Sequence, residues 1–248
     1  HLEAYGETTV NYNRDVEIFP VLEAMFRKIY GECPYKSPTD MGVNMVGNCI
    51  VDDAAAREAS CQEILRRYYA ACVDHIRGKD NDEVIRRLEL TMKHADVTPD
   101  IFPAVAASLK REKETKGPAG AMVLPDGRIV TGRTSKSLGA ASAMLLNALK
   151  ALGGIGDQFE LISSQVLEPV CRLKTTYLGH KNPRLHTDEV LLALSICATT
   201  DPRAEQAMEQ LYKLRGCEVH SSVILSSVDE TTFKRLGVNL TCQPQYKQ

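Results

Sequence analysis

No excess of either charge marks this sequence. Thirty basic residues stand against 32 acidic ones in a chain of 248, for a formal net charge of −2. That balance gives no bulk positive field for nucleic acid or an anionic membrane. A long hydrophobic run is also missing. The most apolar stretch, around residues 190–198, is far shorter than the ~20 residues a bilayer span needs. At 44% hydrophobic and 25% charged, the composition excludes disorder, a collagen-like chain and a coiled-coil rod. There is no internal repeat and no low-complexity segment. No secretory signal follows His1, because Glu3, Glu7, Arg14 and Asp15 interrupt any apolar core. These absences predict a cytoplasmic globular protein of one large domain or two small ones.

Cysteine is plentiful, at eight, but not in a metal-binding pattern. No two are closer than Cys61 and Cys72, so Cys-x-x-Cys does not occur. The chain is too long and core-rich for a disulfide scaffold, which leaves reduced, structural thiols.

Apolar periodicity divides the chain in two. In residues 1–117, Val21, Leu22, Met25, Phe26 and Ile29 predict a helix opened by Pro20 and closed at Gly31. A Gly/Pro/Asn loop follows over 31–51, long enough to suggest function. Three further helices are expected. Asp52 would cap the first, Val84, Ile85, Leu88 and Met92 mark the second, and Thr98-Pro99 opens the third. Lys116-Gly117-Pro118 is the expected domain boundary. In residues 118–248, two short apolar runs flank Pro125-Asp126-Gly127 and predict a β-hairpin. Strands at 159–162, 218–225 and 238–242 then alternate with helices, and Ser227 with Glu230 predicts a capping box. The fold class is therefore α/β (α+β overall). A helical subdomain precedes a three-layer unit with a mixed, mostly parallel sheet.

A hairpin running into a helix is similar in topology to the cytidine deaminases. Their zinc chemistry needs His-x-Glu at that helix start and a later Pro-Cys-x-x-Cys. Here the segment reads Ser137-Leu138-Gly139-Ala140-Ala141-Ser142, so the layout is expected without zinc. The stretch Gly132–Gly139 approaches a phosphate loop, but Ser135 stands where the second glycine belongs. It still puts Arg133 and Lys136 near a helix start. That is either an anion site or a capped, solvated terminus.

The densest polar cluster is His180–Glu189. Lys181 and Arg184 could bind an anion, His186 could exchange protons near neutral pH, and Asp188 could orient it. The alternative is a helix start whose acids match the dipole. On the strand over 218–225, His220 and Ser222 share a face, but no Gly-x-Ser-x-Gly elbow accompanies them. In the first part, Lys36 and Asp40, with Asn44 and Asn48, form a loop that would complement His186 if the two parts faced each other. His75 and His94 sit among charged helix residues and read as surface groups.

Four strings carry a resemblance: His1-Leu2-Glu3-Ala4-Tyr5-Gly6-Glu7, Tyr35-Lys36-Ser37-Pro38-Thr39-Asp40-Met41, Lys181-Asn182-Pro183-Arg184-Leu185-His186 and Gly216-Cys217-Glu218-Val219-His220. They resemble the uncharacterised bacterial family called domain of unknown function 1846, over essentially the whole chain. Its members are about twice this length, so the resemblance implies the C-terminal half. The implied missing N-terminal half would be this chain's partner and would carry a nucleotide phosphate loop, with magnesium. The expected function is then the substrate-binding half of a phosphoryl- or nucleotidyl-transferase or hydrolase. Lys36, Arg184 and His186 would bind and activate an anionic substrate, and Asp40 or Asp188 would act as base or metal ligand. The alternative is a non-catalytic anion-binding or oligomerisation module. A homo-oligomer is expected, with no nucleic-acid or membrane partner.

Overall fold

The computed structural model describes residues 12–38, 40, 41 and 53–246. Contacts group the chain into two units, 1–101 and 102–248. Asn44, Asn48 and the cap position Asp52 lie outside the described residues.

The first unit contains α1 (Tyr12–Tyr30), α2 (Asp53–Ile76), α3 (Asp82–Ala95) and a 3₁₀ turn at Pro99–Ile101. α2 lies along α3, and α1 contacts α3. Val16, Phe19, Ile64, Leu65, Tyr69 and Val73 are buried. The first helix begins eight residues before Pro20, which therefore sits in its interior. The absent N–H costs one ladder hydrogen bond there. Thr98-Pro99 opens only the 3₁₀ turn, and Pro103 takes the first position of the next α-helix.

The second unit contains α4 (Pro103–Thr115), β1 (Ala119–Val123), β2 (Ile129–Arg133), α5 (Ala140–Leu152), α6 (Ser164–Arg172) with a π turn at Leu173–Tyr177, α7 (Thr187–Cys197), α8 (Pro202–Met208), a 3₁₀ turn at Leu211–Leu214, β3 (Glu218–Ser221), α9 (Ser227–Arg235) and β4 (Asn239–Cys242). Lys116 ends α4 in the left-handed conformation at φ 54°. Lys116-Gly117-Pro118 is thus the turn from α4 into β1, and α4 packs on the sheet.

The architecture is mixed α/β, with strand order β2-β1-β3-β4. The hairpin is as expected. Leu124 and Arg128 close it, and Gly127 takes φ +82° in its turn. The sheet is not mostly parallel. β1 is antiparallel to both β2 and β3, and only β3–β4, joined through α9, is parallel. The expected strand at 159–162 does not form. Phe159 is exposed and lies under the Arg203 guanidinium, while Leu161 and Ile162 enter the core from irregular backbone. Four residues with two core anchors are too few to hold a strand without a ladder partner.

Register and alternation divide the sheet into two faces. Met122, Val219 and Leu240 point to the side where α5, α7, α8 and α9 add Met144, Leu145, Leu149, Val190, Leu194, Ala204 and Phe233 to one aliphatic core. Ala121, His220 and Thr241 share the other face. Every described cysteine is a free thiol, and Cys171, Cys217 and Cys242 are buried. Among the described residues, no helix is long and apolar enough to cross a membrane.

α5 approaches β2 closely in the core. A Cβ on Gly132 would collide with the Met144 backbone nitrogen and lie 2.7 Å from the Ala140 carbonyl oxygen. Backbone cannot yield as a side-chain tip can, so Gly132→Ala is expected to cost about 3 kcal/mol or more. Gly127→Ala meets no atom within 4 Å and carries only the left-handed strain of about 1–2 kcal/mol. Denaturant unfolding of both variants checks this; equal costs would show that α5 is free to shift.

Candidate functional site

The polar cluster becomes ordered through backbone pairing. Leu185 N–H donates to Ser137 O at 2.8 Å, and Gly139 N–H donates to Leu185 O at 3.2 Å. The Ser142 hydroxyl donates to the same Leu185 carbonyl at 2.9 Å. This short parallel bridge clips the 179–186 loop onto the 135–139 loop and buries Leu185 between them. α5 starts only at Ala140, with Gly139 as its N-cap. Lys136 therefore precedes the helix, and the Gly139 N–H is already used. Arg133, Lys136 and Lys181 are exposed.

Arg184 is held at both ends. Its backbone N–H donates to Asn182 Oδ1 at 3.1 Å, and its Nε donates to the Ser135 carbonyl at 2.8 Å. Below it, buried Lys174 donates to the Arg184 carbonyl at 2.8 Å and to Glu189 Oε2 at 2.6 Å. The same Glu189 oxygen accepts the His186 N–H at 2.7 Å, so Glu189 caps α7 from inside.

His186 is the N-cap of α7, and its ring faces the start of α9. Nδ1 lies 2.9 Å from Asp229 Oδ2 and 3.2 Å from Ser226 Oγ. The Ser226 hydroxyl itself donates to Asp229 Oδ2 at 2.7 Å. The Thr187 N–H and hydroxyl both donate to Asp229 Oδ1, at 2.9 and 3.0 Å. With every other neighbour donating to the carboxylate, Nδ1 carries the proton and points it at Asp229. Nε2 makes no hydrogen bond to a described residue, and the side chain is 31% exposed. The hydrogen bond to Asp229 pushes the imidazole above the usual histidine pKa, against an opposing push from burial. Burial would raise Asp229, but the bonds from His186, the Thr187 N–H and Ser226 outweigh it and hold the carboxyl low.

The remaining candidates play other parts. Asp188 is exposed and accepts the Glu189 N–H at 2.8 Å, so the carboxylate that orients His186 is Asp229. His220 is fully buried, with Nδ1 2.8 Å from Thr241 Oγ1. Ser222 is also fully buried. It donates to Glu112 Oε1 at 2.8 Å and accepts the Ala119 N–H at 3.0 Å. In the first unit, Asp40 accepts the Lys36 N–H at 2.6 Å, and its own N–H donates to Ser37 Oγ at 3.0 Å. Asp40 is buried there as a turn-closing group, and the Lys36 side chain is exposed. Among the described residues, no three His, Cys, Asp or Glu side chains gather as a metal site.

Sequence reasoning missed Asp229, Ser226 and Lys174. The signal was a capping box displaced by one residue. Ser226 is the N-cap of α9 and accepts the Asp229 N–H, where Ser227 and Glu230 were expected.

Residues 1–96 match the family model described as domain of unknown function DUF1846, N-terminal. Residues 100–248 match the model described as domain of unknown function DUF1846, C-terminal. A UPF0371 protein of Corynebacterium efficiens is 52% identical over 248 residues, 100% of this chain and 50% of the relative. One from Corynebacterium diphtheriae is 53% identical over 249 residues, with the same coverage. One from Streptococcus pneumoniae is 48% identical over 247 residues, again 100% of this chain and 50% of its own length. The chain spans about half the length of the curated relatives it matches. The expectation that it is the family's C-terminal half alone is overturned, because its first 96 residues match the N-terminal model.

Two titrations follow from this geometry. Asp229→Asn removes the charge that raises His186, so the His186 pKa falls, and stability drops by about 2 kcal/mol. An NMR titration of the ring checks the first and denaturant unfolding the second; an unchanged His186 pKa would sink the assignment. His220 behaves oppositely, since burial holds it down at about 4 against an ordinary 6.5. The unfolded chain takes up a proton near 6.5 and the folded one does not, so stability present above 6.5 is lost as pH falls toward about 4. The loss is on the order of 3 kcal/mol, and unfolding of His220→Asn at pH 7 and pH 4.5 should show it largely abolished.

Proposed function

This chain belongs to the DUF1846 family, and from its own site we propose an acid–base enzyme acting on a small phosphorylated or otherwise anionic substrate. The observation that carries the reading is the Asp229–His186 pair. A histidine whose Nδ1–H is fixed on a buried carboxylate has one tautomer and one orientation, and it offers Nε2 as a base. Ser226 does not act as the nucleophile of a triad. It shares Nδ1 with Asp229, whereas a triad places serine and carboxylate on opposite ring nitrogens. The group that gives its proton to His186 is therefore a water or a substrate hydroxyl.

Arg184 supplies the anion contact in this reading. It leaves the backbone two residues before His186, in the segment clipped to Ser135–Gly139, and its terminal guanidinium nitrogens make no hydrogen bond to a described residue. A fork held at Nε and open at its tip suits bidentate binding of phosphate or carboxylate. The reaction class we favour is hydrolysis or transfer of a phosphoryl group: His186 takes the proton of the attacking oxygen, the ester P–O bond breaks as the new P–O bond forms, and the leaving oxygen takes a proton from solvent. A topological likeness to cytidine deaminases would lend no chemistry here, since α5 opens without their ligands.

The test is release of inorganic phosphate from a panel of phosphomonoesters and nucleotides. His186→Ala is expected to lower turnover about 10²–10⁴-fold, and Arg184→Ala to raise KM at least about tenfold. Because the base must be neutral, the rate should fall below the raised His186 pKa, and Asp229→Asn should move that limb to lower pH. Undiminished turnover in both variants, or none from any ester, overturns the reading.

A further inference from the structure

A cleft of about 520 Å³ opens at the sheet end where β3 and β4 finish, the end of parallel strands where α/β sheets hold ligands. Its lining includes Glu112, Lys116, Thr134, Arg184, Gln245 and Tyr246. That volume suits a small molecule, and the polar groups are sorted by what they still have to offer.

The threonine hydroxyls have spent their protons on the protein. Thr115 Oγ1 donates to Arg111 O at 2.9 Å, and Thr134 Oγ1 donates to Pro118 O at 3.1 Å. Gln245 Nε2 donates to Ser222 O at 2.7 Å. Glu112 has one oxygen fixed by buried Ser222 at 2.8 Å, and its other oxygen has no bond to a described residue. This part of the cleft presents acceptors and calls for a ligand rich in donors. Arg184 and Lys116 are donors only. Neither the guanidinium tip nor the Lys116 ammonium pairs with a described carboxylate, so this part calls for an anion. Two cations against one carboxylate leave the lining with a net positive charge, which suits an anion. A phosphate monoester carries about −1.5 to −2 at neutral pH, whereas a zwitterion would leave one cation unbalanced.

We propose that this cleft binds a phosphorylated polyol, its phosphate on Arg184 and Lys116 and its hydroxyls on Glu112 and Thr134. The inference rests on the acid–base reading for the use of Arg184 as anion anchor; His186, two residues further along, does not itself line the cleft.

Calorimetric titration of the whole chain tests it, with glucose 6-phosphate, fructose 6-phosphate and ribose 5-phosphate against glucose, inorganic phosphate and γ-aminobutyrate. At least one polyol phosphate should bind about tenfold or more tighter than inorganic phosphate. Glu112→Gln keeps an acceptor for Ser222, so it should fold and erase that advantage, while inorganic phosphate binds no more weakly than before. Lys116→Asn, tolerant of the left-handed backbone, should weaken both about tenfold. Polyol phosphates no tighter than phosphate, an advantage untouched by Glu112→Gln, or tighter γ-aminobutyrate would each overturn the assignment. His186→Ala separates the two readings. If it abolishes phosphate release while no polyol phosphate binds, only the cleft assignment falls. If polyol phosphates bind as expected but His186→Ala turns over normally, only the acid–base reading falls.

Discussion

Asp229 is a carboxylate taken out of water, and a charge in that position persists only when donors saturate its oxygens. Four groups do so: the His186 ring, the Thr187 N–H and hydroxyl, and the Ser226 hydroxyl. Each comes from a helix start, so one side chain ties the first turn of α7 to the first turn of α9. Both helices press Val190, Leu194 and Phe233 into the same core. The orientation of the imidazole is therefore not adjustable apart from the packing of the domain. The position that fixes the ring also fixes the angle at which two helices meet the sheet.

A second layer supports this arrangement from below. Lys174 is buried on the π turn and satisfies the Arg184 carbonyl and the Glu189 carboxylate together. Glu189 in turn caps His186. The Arg184–Thr187 segment has its backbone groups bonded to Ser137, Asn182, Glu189 and Asp229, and the Arg184 side chain reaches Ser135. Such saturation is what a pre-organised site requires, since no ligand energy goes into ordering the loop.

Much of the fold was legible because its signals are local. The hairpin showed in Pro125-Asp126-Gly127 between apolar runs, and the alternation of strands and helices behind it placed α9 to within one residue of its cap. What was not legible depends on partners far along the chain. Strand pairing is one case: β1 takes β3 as its neighbour, a choice no short pattern encodes, and the sheet is mixed as expected but mostly antiparallel. The site divides in the same way. Arg184 and His186 stood out because polar residues cluster there. Asp229 did not, because a lone aspartate at the third position of a helix looks like an ordinary cap until the fold brings residue 186 to it. His220 and Ser222 misled for the opposite reason: a histidine beside serines suggests chemistry, but alternation and burial made them interior groups.

The order of the strands also governs when the sheet can close during synthesis. β1 pairs with β2 through a five-residue turn, but its other edge waits for β3, where Gly120 meets Ser221. The intervening chain of about 100 residues takes roughly 5–20 s to translate. For that interval the hairpin has one unpaired row of backbone donors and acceptors beside a half-covered apolar face. An edge of that kind recruits other strands. The nascent chain thus passes through a window of exposure to aggregation or chaperone capture, and it ends only when the ribosome has delivered the last quarter of the domain.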